Sequence, residues 1–483
     1  VFGFRHALIR DAAYQSLLKS HRQQLHAHIA TVLEERFPAR VVSAPQLLAY
    51  HFAEAGLAER SVQYWMQAAQ RSLGQFANEE ALDYAEQGLV LLGQREADTA
   101  RDYQELVLQF TRGAASRIRH GYAAAPAELS FQRALTLARE LNEQGYRVES
   151  ARGLWSVCCV QGRLAEGASL GEQVLGVARD DHQRMLGHYM SGVVILLQGE
   201  TAAACQRLEK ALSLYAPHQP AASLSVQSEP RIYLLAWLGL ALGYRGLPRQ
   251  GIARAREAVA SARQQSLPLS EVDALVFLCN TLSYYREPLA EEARALAMLA
   301  DRHRMVHYQP LASFRLAMDV EALDPQARLR AVEQALDQYR QVARVALPGM
   351  LAQLASVALK AGAVARAEAA VVEGLAQVQA TGERQLEAEL HRVRGVIRLR
   401  QPAPDPGAAE VALQQALAIA RHQQTRLWEL RAAMSLARLW LAQDRQWEAR
   451  ELLTPLLGCF ETDEAPVVLL RRARSLLASP MVS

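Results

Sequence analysis

The sequence is poor in aromatic residues and in cysteine. Aromatic residues make up 6% of its 483 positions, and five cysteines are present. These cysteines show neither the C-x-x-C spacing of a zinc site nor the even number of a disulfide framework. We therefore expect neither a structural metal nor disulfides, and we interpret the cysteines as small core residues in a reducing compartment.

Lysine is also scarce, and the charges of the chain nearly cancel. Lysine occupies only positions 19, 210 and 360, so arginine carries almost all of the positive charge, and 53 basic residues face 50 acidic ones. A net charge of +3 gives no electrostatic reason to expect nucleic-acid binding. No Gly-Lys dipeptide occurs either, which excludes a P-loop and predicts that this chain alone does not hydrolyse ATP.

Long apolar runs are missing as well. The longest, residues 232–244, lies between two arginines and is shorter than the about 20 residues that a membrane-spanning helix needs. The first residues lack the order of a signal peptide, and the chain begins with Val1. We expect a piece of a longer cytoplasmic protein without a membrane partner.

What the sequence does have is a ladder of small residues at regular intervals. Alanine and leucine dominate the 51% of hydrophobic residues, which favours helices. The small residues recur with a period of about 41, in the range of arrays built from helix pairs. The ten rungs of this ladder are Ala81, Ala127, Gly167, Ala204, Gly251, Ala293, Ala331, Ala367, Ala412 and Ala449.

Each rung predicts the second helix of a pair. Apolar or small residues follow most rungs at four and seven positions, which places them on one helix face. A turn rich in Gly or Pro precedes each rung, and another apolar helix precedes that turn. The unit that contains Trp237, Gly239, Tyr244 and Gly251 resembles the tetratricopeptide repeat. We therefore predict an all-α, right-handed superhelical solenoid of about ten tetratricopeptide-like helix pairs.

Two terminal segments carry a further resemblance. The segment FGFRHALIRDAAYQSLL near the start and the stretch ALAIARHQQTRLWELRAAMSLARLWLAQDRQWEARELLTPLLGCF near the end resemble bacterial signalling proteins of the STAND type. The resemblance is greatest to the branch that joins a class III adenylate or guanylate cyclase, an AAA-like ATPase and a repeat array. It implies that residues 1–56 close a winged-helix and ATPase junction, that residues 57–463 form the array, and that residues 464–483 form a C-terminal helix and tail.

The resemblance also implies a function. The array would be a non-catalytic sensor and scaffold that binds a protein, a peptide or a small effector and regulates the attached ATPase or cyclase. Catalytic residues of the family cannot be assigned, because the domains that hold them are absent from this sequence. The alternative is the inducer-sensing array of a STAND-type transcriptional activator, which would carry a DNA-binding domain elsewhere in the parent chain.

No residue is assigned to catalysis, to a cofactor or to a metal. His26 and His28 point to different sides of a helix, and His303 and His307 lack an acidic third ligand nearby. We predict instead a concave groove lined by the first helix of each unit. Packing between units explains Tyr189 and Tyr244 equally well, and solvation is favoured for the charged residues. The predicted groove residues are Arg152, Tyr189, Tyr244, Tyr285, Lys360 and Arg438.

Overall fold

The structure, a computed structural model, describes residues 14–216, 229–319, 324–460 and 468–477. Within these ranges the chain is all-α, with 24 helices and no β-strand. The helices are α1 (Lys19–Arg36), α2 (Pro38–Ser43), α3 (Pro45–Glu54), α4 (Ala58–Gly74), α5 (Asn78–Leu92), α6 (Thr99–His120), α7 (Ala125–Glu140), α8 (Gln144–Val160), α9 (Leu164–Val177), α10 (Asp181–Leu197), α11 (Thr201–Ser213), α12 (Pro230–Tyr244), α13 (Pro248–Gln264), α14 (Pro268–Tyr285), α15 (Ala290–Arg302), α16 (Tyr308–Asp319), α17 (Pro325–Val342), α18 (Leu347–Lys360), α19 (Val364–Thr381), α20 (Glu387–Arg398), α21 (Pro406–His422), α22 (Arg426–Leu441), α23 (Gln446–Gly458) and α24 (Val468–Leu477).

The ladder of small residues marks the second helix of each pair, as the sequence predicts. All ten rungs lie in the first two turns of a helix, and nine of them are buried. The exception is Ala331, which is half-buried because α17 turns its neighbours Leu329 and Val332 toward the core instead. The chain is therefore an array of tetratricopeptide-like helix pairs, and we call the rung-bearing helices outer and the preceding ones inner.

The turns within pairs are set by residues that suit a left-handed backbone. Gly162, Gly199, Gly246 and Gly362 follow inner helices with φ between +73° and +93°. This conformation ends a helix and is free of steric cost only for glycine. Proline then begins α13, where its missing N–H is no loss.

The chain divides into two compact units. The first contains residues 1–119 and 125–153, and the second contains residues 120–124 and 154–483. In the first unit, α4, α5 and α6 share a core that includes Val62, Ala85 and Leu108. Gly88 of α5 lets Leu108 approach so closely that a Cβ there would lie 2.8 Å from its Cδ1.

In the second unit, the inner helices stack in two runs, which a hydrogen bond between Arg315 of α16 and Gln353 of α18 joins. Each packs on its outer partner and on the next inner helix, from α10 through α12, α14 and α16, and again from α18 through α20 and α22 to α24. The two glycines Gly239 and Gly251 allow α12 and α13 to meet backbone to backbone. The inner helices thus present one shared face.

The stack of the second unit also returns to itself. The amides of Arg344 and Arg384 each donate to a carbonyl far earlier in the chain, those of Val160 and Leu197, at 2.8 Å in both cases. The amide of Val468 donates to a side-chain oxygen of Glu287, 181 positions earlier, at 2.8 Å. We call this line of contacts the seam.

The segments before and between the helix pairs agree in part with the local sequence pattern. The run QPAPDP at residues 401–406 predicts a loop, and residues 399–405 separate α20 from α21, which begins at Pro406. Apolar spacing predicts a helix over residues 7–19. Residues 7–13 lie outside the described residues, and the non-helical residues 16–18 separate residues 14–15 from α1. The alternating residues 2–6 predict a short strand, and the prolines within residues 216–230 predict a long loop. The strand segment and most of the loop segment lie outside the described residues. In the described part of the chain, no helix combines the length and the apolar character that crossing a membrane requires.

Candidate functional site

A cavity of about 120 Å³ opens on the shared face of the inner helices in the second unit. Five successive inner helices contribute to it, α14, α16, α18, α20 and α22, and the outer helices contribute nothing to its lining. Its volume is below the roughly 300–1,000 Å³ of pockets for drug-sized ligands, so it suits a single small chemical group. The lining residues are Ser283, Tyr284, Arg286, Met318, Gly349, Gln353, Ser356, Lys360, Leu386, Glu389, Arg392, Trp428 and Arg431.

One polar stripe of α18 forms the long side of the cavity. Gly349, Gln353, Ser356 and Lys360 all line it. Their spacing of four, three and four residues places them on one face of the helix. Gln353 also accepts a hydrogen bond from Arg315 of α16 at 2.9 Å. The stripe therefore offers polar groups at several depths, ending with the ammonium group of Lys360.

The floor of the cavity holds a buried carboxylate between two arginines. Glu389 is 5% exposed. Arg392 donates to both of its oxygens, at 2.7 and 2.8 Å, and Arg431 lies 2.8 Å from one of them. Burial alone would raise the pKa of Glu389, but the two guanidinium groups hold that pKa below its usual value. Burial lowers the pKa of Arg431 to about 10, so it stays charged at neutral pH. The trio therefore carries one net positive charge.

An aromatic wall stands beside this trio. The ring of Trp428 lies edge-on to Tyr284 at 5.0 Å and tilted against Tyr244 at 5.5 Å. Trp428 is 1% exposed, and its indole N–H has no acceptor within the described ranges. The side-chain amide nitrogen of Gln353 is likewise buried without an acceptor there. A buried donor without an acceptor is costly, so both groups indicate a missing acceptor.

Four further cations surround the cavity. Arg286 and Lys360 line it, Arg438 lies seven residues after Arg431 on the same face of α22, and Arg472 belongs to α24, which packs on α22. No ion pair joins any of the four to an acidic residue in the described part of the chain.

The pKa values of these cations reflect their mutual repulsion. Desolvation and the charges of neighbouring arginines lower the pKa of Arg286, of Lys360 and of Arg438. Arg472 is among the repelling neighbours in all three cases. Like charges held close together without a counterion favour the binding of an anion.

Two of the residues predicted from the sequence belong to this site. Lys360 lines the cavity, and Arg438 adds to the surrounding charge. Tyr244 lies behind the wall, where it is 1% exposed and contacts Trp428. Burial raises the pKa of its hydroxyl well above the ordinary value, so Tyr244 is neutral at any ordinary pH.

The other three predicted residues make structural contacts. Tyr285 is fully buried, and its hydroxyl donates to the carbonyl of Gly243 at 2.5 Å. Tyr189 is 9% exposed and packs edge-on against Trp155 at 5.3 Å. Arg152 lies in the first unit and pairs with the buried Glu149 at 2.8 Å. None of these three lines the cavity of the second unit.

The sequence did not single out most of the residues that line the cavity. Arg286, Glu389, Arg392, Trp428 and Arg431 are brought together by helices that are far apart along the chain. One signal was available: arginines recur on one face of α22, at positions 431 and 438. Nothing in the sequence paired that face with α18 or α14.

Comparisons with known proteins give a distant relative and similar folds. No model of a known protein family matches the chain. The uncharacterized protein R02095 of Rhizobium meliloti (strain 1021) is 26% identical over 466 residues, which are 92% of this chain and 44% of that protein. The chain thus spans less than half the length of this curated relative.

Three solved structures are similar in their helical arrangement. A Rap protein complexed with Competence and Sporulation Factor has a TM-score of 0.47 at 11% identity, covering 87% of this chain and 99% of that one. The Rap conjugation gene regulator of plasmid pLS20, with the Phr* peptide, has a TM-score of 0.45 at 11% identity and coverages of 82% and 94%. The human IFIT1 dimer with m7Gppp-AAAA has a TM-score of 0.41 at 14% identity and coverages of 92% and 95%. All three TM-scores are below 0.5, so the architecture described above rests on the helices of this chain itself.

Proposed function

We propose that this chain is a non-catalytic sensor array. It binds an effector, either a small molecule or a peptide, at the inner-helix cavity of the second unit and regulates an ATPase or cyclase module of the same parent chain. The attached module is inferred from the resemblance of the terminal segments to STAND-type signalling proteins.

One observation carries the proposal: a single small cavity is lined by five successive inner helices. A ligand bound there contacts all five at once, so its binding energy depends on their relative positions. A ligand shifts a conformational equilibrium only by its differential affinity for the two states. A site that spans several repeats is therefore suited to report ligand binding as a change in the curvature of the array.

The state of the carboxylate in the cavity supports the non-catalytic part of the proposal. Glu389, the carboxylate among the lining residues, is tied to Arg392 and Arg431 and is unable to act as a general base at neutral pH. The remaining charged lining residues are cations, which suit the binding and orientation of an anionic group.

Binding is tested with the isolated chain by a thermal-shift screen of metabolites and peptides, because binding to the native state raises the apparent stability. Each hit is repeated on a double variant, Lys360→Gln with Arg438→Gln, and on a control, Arg302→Gln with Arg330→Gln. All four side chains are exposed, but the control pair lies on the outer helices α15 and α17. Hits that the cavity variant loses and the control keeps support the proposal; hits that both variants keep contradict it.

Regulation is tested in the full-length parent protein. The effector is expected to change the rate of nucleotide turnover in the wild type and not in the Lys360→Gln/Arg438→Gln variant. If the effector instead changes binding to promoter DNA and leaves nucleotide turnover unchanged, the array belongs to a transcriptional activator. No effect on either activity would refute a regulatory role.

A further inference from the structure

The cavity has an excess of positive charge and of N–H donors that the described residues do not match. Glu389 is already shared by Arg392 and Arg431. The remaining cations, Arg286, Lys360, Arg438 and Arg472, form no ion pair within the part of the chain that the structure describes, and Glu389 is the one acidic group among the charges that act on Arg286. A ligand that neutralises them must supply several negative charges and several acceptor atoms.

The buried donors point to the same kind of ligand independently of the charges. Trp428 and Gln353 line the cavity, and the indole N–H of the one and the side-chain amide nitrogen of the other are buried without an acceptor among the described residues. Water could satisfy them, but a bound anion satisfies them and relieves the repulsion between the cations at the same time.

We propose that the effector presents a phosphate group to this cavity. The inference rests on the proposed function, because it names the chemistry of the ligand that the sensor binds. Lys360 and Arg286 bind the phosphate oxygens, Trp428 donates from the aromatic wall, and Arg438 and Arg472 neutralise the remaining charge.

Phosphate is favoured over carboxylate by charge and by shape. A phosphate monoester carries about −1.5 to −2 charges at pH 7 and three strong acceptor oxygens, whereas a carboxylate carries one charge and two oxygens. Phosphate neutralises four cations on different helices better than carboxylate does, because it carries more charge and directs three acceptor oxygens toward different helices. The cavity of about 120 Å³ has room for this one group, so the rest of the effector lies outside it.

The position of α24 gives the bound phosphate a structural consequence. The amide of Val468, the first residue of α24, donates to Glu287, the residue directly after Arg286. The start of α24 is therefore fixed beside the cavity, and Arg472 follows one turn later. A phosphate bound between Arg286 and Arg472 removes their repulsion and holds α24 against the array.

The experiment measures binding of inorganic phosphate, glycerol phosphate and succinate to the isolated chain by calorimetry, at constant ionic strength. We expect both phosphates to bind and succinate to bind at least about tenfold more weakly. Charge-assisted hydrogen bonds contribute about 1.5–3 kcal/mol, so Lys360→Gln and Arg472→Gln should each weaken phosphate binding by about tenfold or more. The outer-helix control Arg302→Gln should bind as the wild type does.

A second measurement follows the amide hydrogen exchange of residues 468–477. Phosphate should slow exchange in α24 of the wild type and leave it unchanged in the Arg472→Gln variant. Arg472 is exposed, so the variant should fold normally, and a thermal transition that matches that of the wild type checks this.

The outcomes separate this inference from the proposed function. Equal binding of succinate, or phosphate binding that survives both cavity variants, overturns the phosphate assignment. If phosphate does not bind, while the binding of a screening hit still requires Lys360 and Arg438, the sensor function stands and the phosphate assignment is wrong. If glycerol phosphate binds more tightly than inorganic phosphate, the natural effector is an ester that contacts the rim of the cavity as well.

Discussion

Arg286 adopts a left-handed backbone conformation, with φ of +63°, at the end of α14. Its amide donates to Ser283 in the way that the amide of Gly246 donates to Gly243 at the end of α12. Where α12 and other inner helices are followed by glycine, α14 is followed by a long cationic residue. A non-glycine residue in this conformation costs about 1 kcal/mol, and such a cost is often found where a side chain serves a function.

Replacing Arg286 with glycine should therefore change the stability of the fold and the affinity for phosphate in opposite directions. We expect Arg286→Gly to raise the free energy of unfolding by about 1 kcal/mol, because the backbone strain and the repulsion from Arg472 are removed. The same change should weaken phosphate binding by about tenfold. Urea unfolding and calorimetry measure the two effects, and a variant that is both less stable and unchanged in binding would contradict this role.

Glu383 is a second residue whose charge has consequences, and it lies at the seam. Its side chain is 1% exposed, and its two oxygens accept from the amide of Ala346 at 3.1 and 3.0 Å. Gln385 donates to it as well, at 3.1 Å. Among the described residues no cation pairs with it, and burial raises its pKa from 4.5 to about 7.

The stability of the second unit should depend on pH through Glu383. Because its pKa is higher in the folded state than in the unfolded state, unfolding releases a proton between about pH 4.5 and pH 7. The contribution of Glu383 to the free energy of unfolding should therefore fall by roughly 3 kcal/mol as the pH rises through this window, and remain constant above it. Buried histidines such as His307, whose pKa burial lowers to about 4, titrate in the wild type and in Glu383→Gln alike. The difference between the two urea-unfolding profiles across pH 5 to 8 therefore isolates the contribution of Glu383.

The neighbours of Glu383 do not obscure this signal. The groups coupled to it or to the same ring cluster are Tyr244, Tyr284, Tyr339 and Arg315, and burial raises the pKa of the three tyrosines. None of these three tyrosines changes its charge between pH 5 and 8. An identical pH slope in wild type and Glu383→Gln would show that Glu383 is ionised throughout.

At the scale of elements, the contact between α12 and α13 depends on glycine. A Cβ on Gly251 would lie 2.6 Å from the carbonyl oxygen of Gly239 and 3.0 Å from the amide nitrogen of Gly243, both of them backbone atoms. Backbone atoms cannot yield as a flexible side chain can. Gly251→Ala should therefore destabilise the fold by about 1–3 kcal/mol, as overpacked cores do.

The matched control is Gly176→Ala in α9. A Cβ at Gly176 would meet nothing within 4 Å, so the substitution should be neutral or stabilise the fold by about 0.5–1 kcal/mol through helix propensity. Thermal or urea unfolding distinguishes the two variants. Equal effects of the two substitutions would mean that the close contact of α12 and α13 is absent in solution.

The helix pairs could be predicted from the sequence because they depend on local spacing. Rungs at intervals of about 41, with Gly or Pro before them, fix where a helix begins and which face is buried. The limit of this signal shows at Ala331, where Leu329 and Val332 are buried instead. Residues three or four positions apart share a helix face, so a degenerate repeat does not determine which of them is buried.

The cavity could be predicted only in part, because some of its residues come together only through the packing of several units. Lys360 and Arg438 stand out because inner helices line grooves in tetratricopeptide arrays. Their partners Arg286 and Arg472 depend on how each unit rotates relative to the next, and the small rotations add up over several units. The net charge of +3 also conceals the cluster, because balanced charge along a chain says nothing about local concentration.

At the scale of the whole second unit, the seam distinguishes this array from a simple solenoid. In a simple solenoid each repeat contacts only its neighbours, and damage to one repeat weakens those beside it. Here the side chain of Gln423, after α21, donates to the carbonyl of Arg384 at 2.9 Å, and the amide of Arg384 donates to Leu197 at the end of α10. Gln423 also lies close to Gly199, where a Cβ would be 2.7 Å from its side-chain nitrogen. These contacts link α21 directly to α10.

A substitution that destabilises α21 should therefore also lower the local stability of α10, several units earlier in the chain. Leu413→Ala removes a fully buried side chain from the core that α21 shares with α22, and should cost about 2–5 kcal/mol. Because the seam joins these helices, amide exchange in residues 186–197 should accelerate at urea concentrations below the main transition. Val411→Ala, on the exposed face of the same helix, should leave that exchange unchanged. Acceleration confined to the helices next to α21 would show that the seam contributes little energy, and that the units respond only to their neighbours as in an open solenoid.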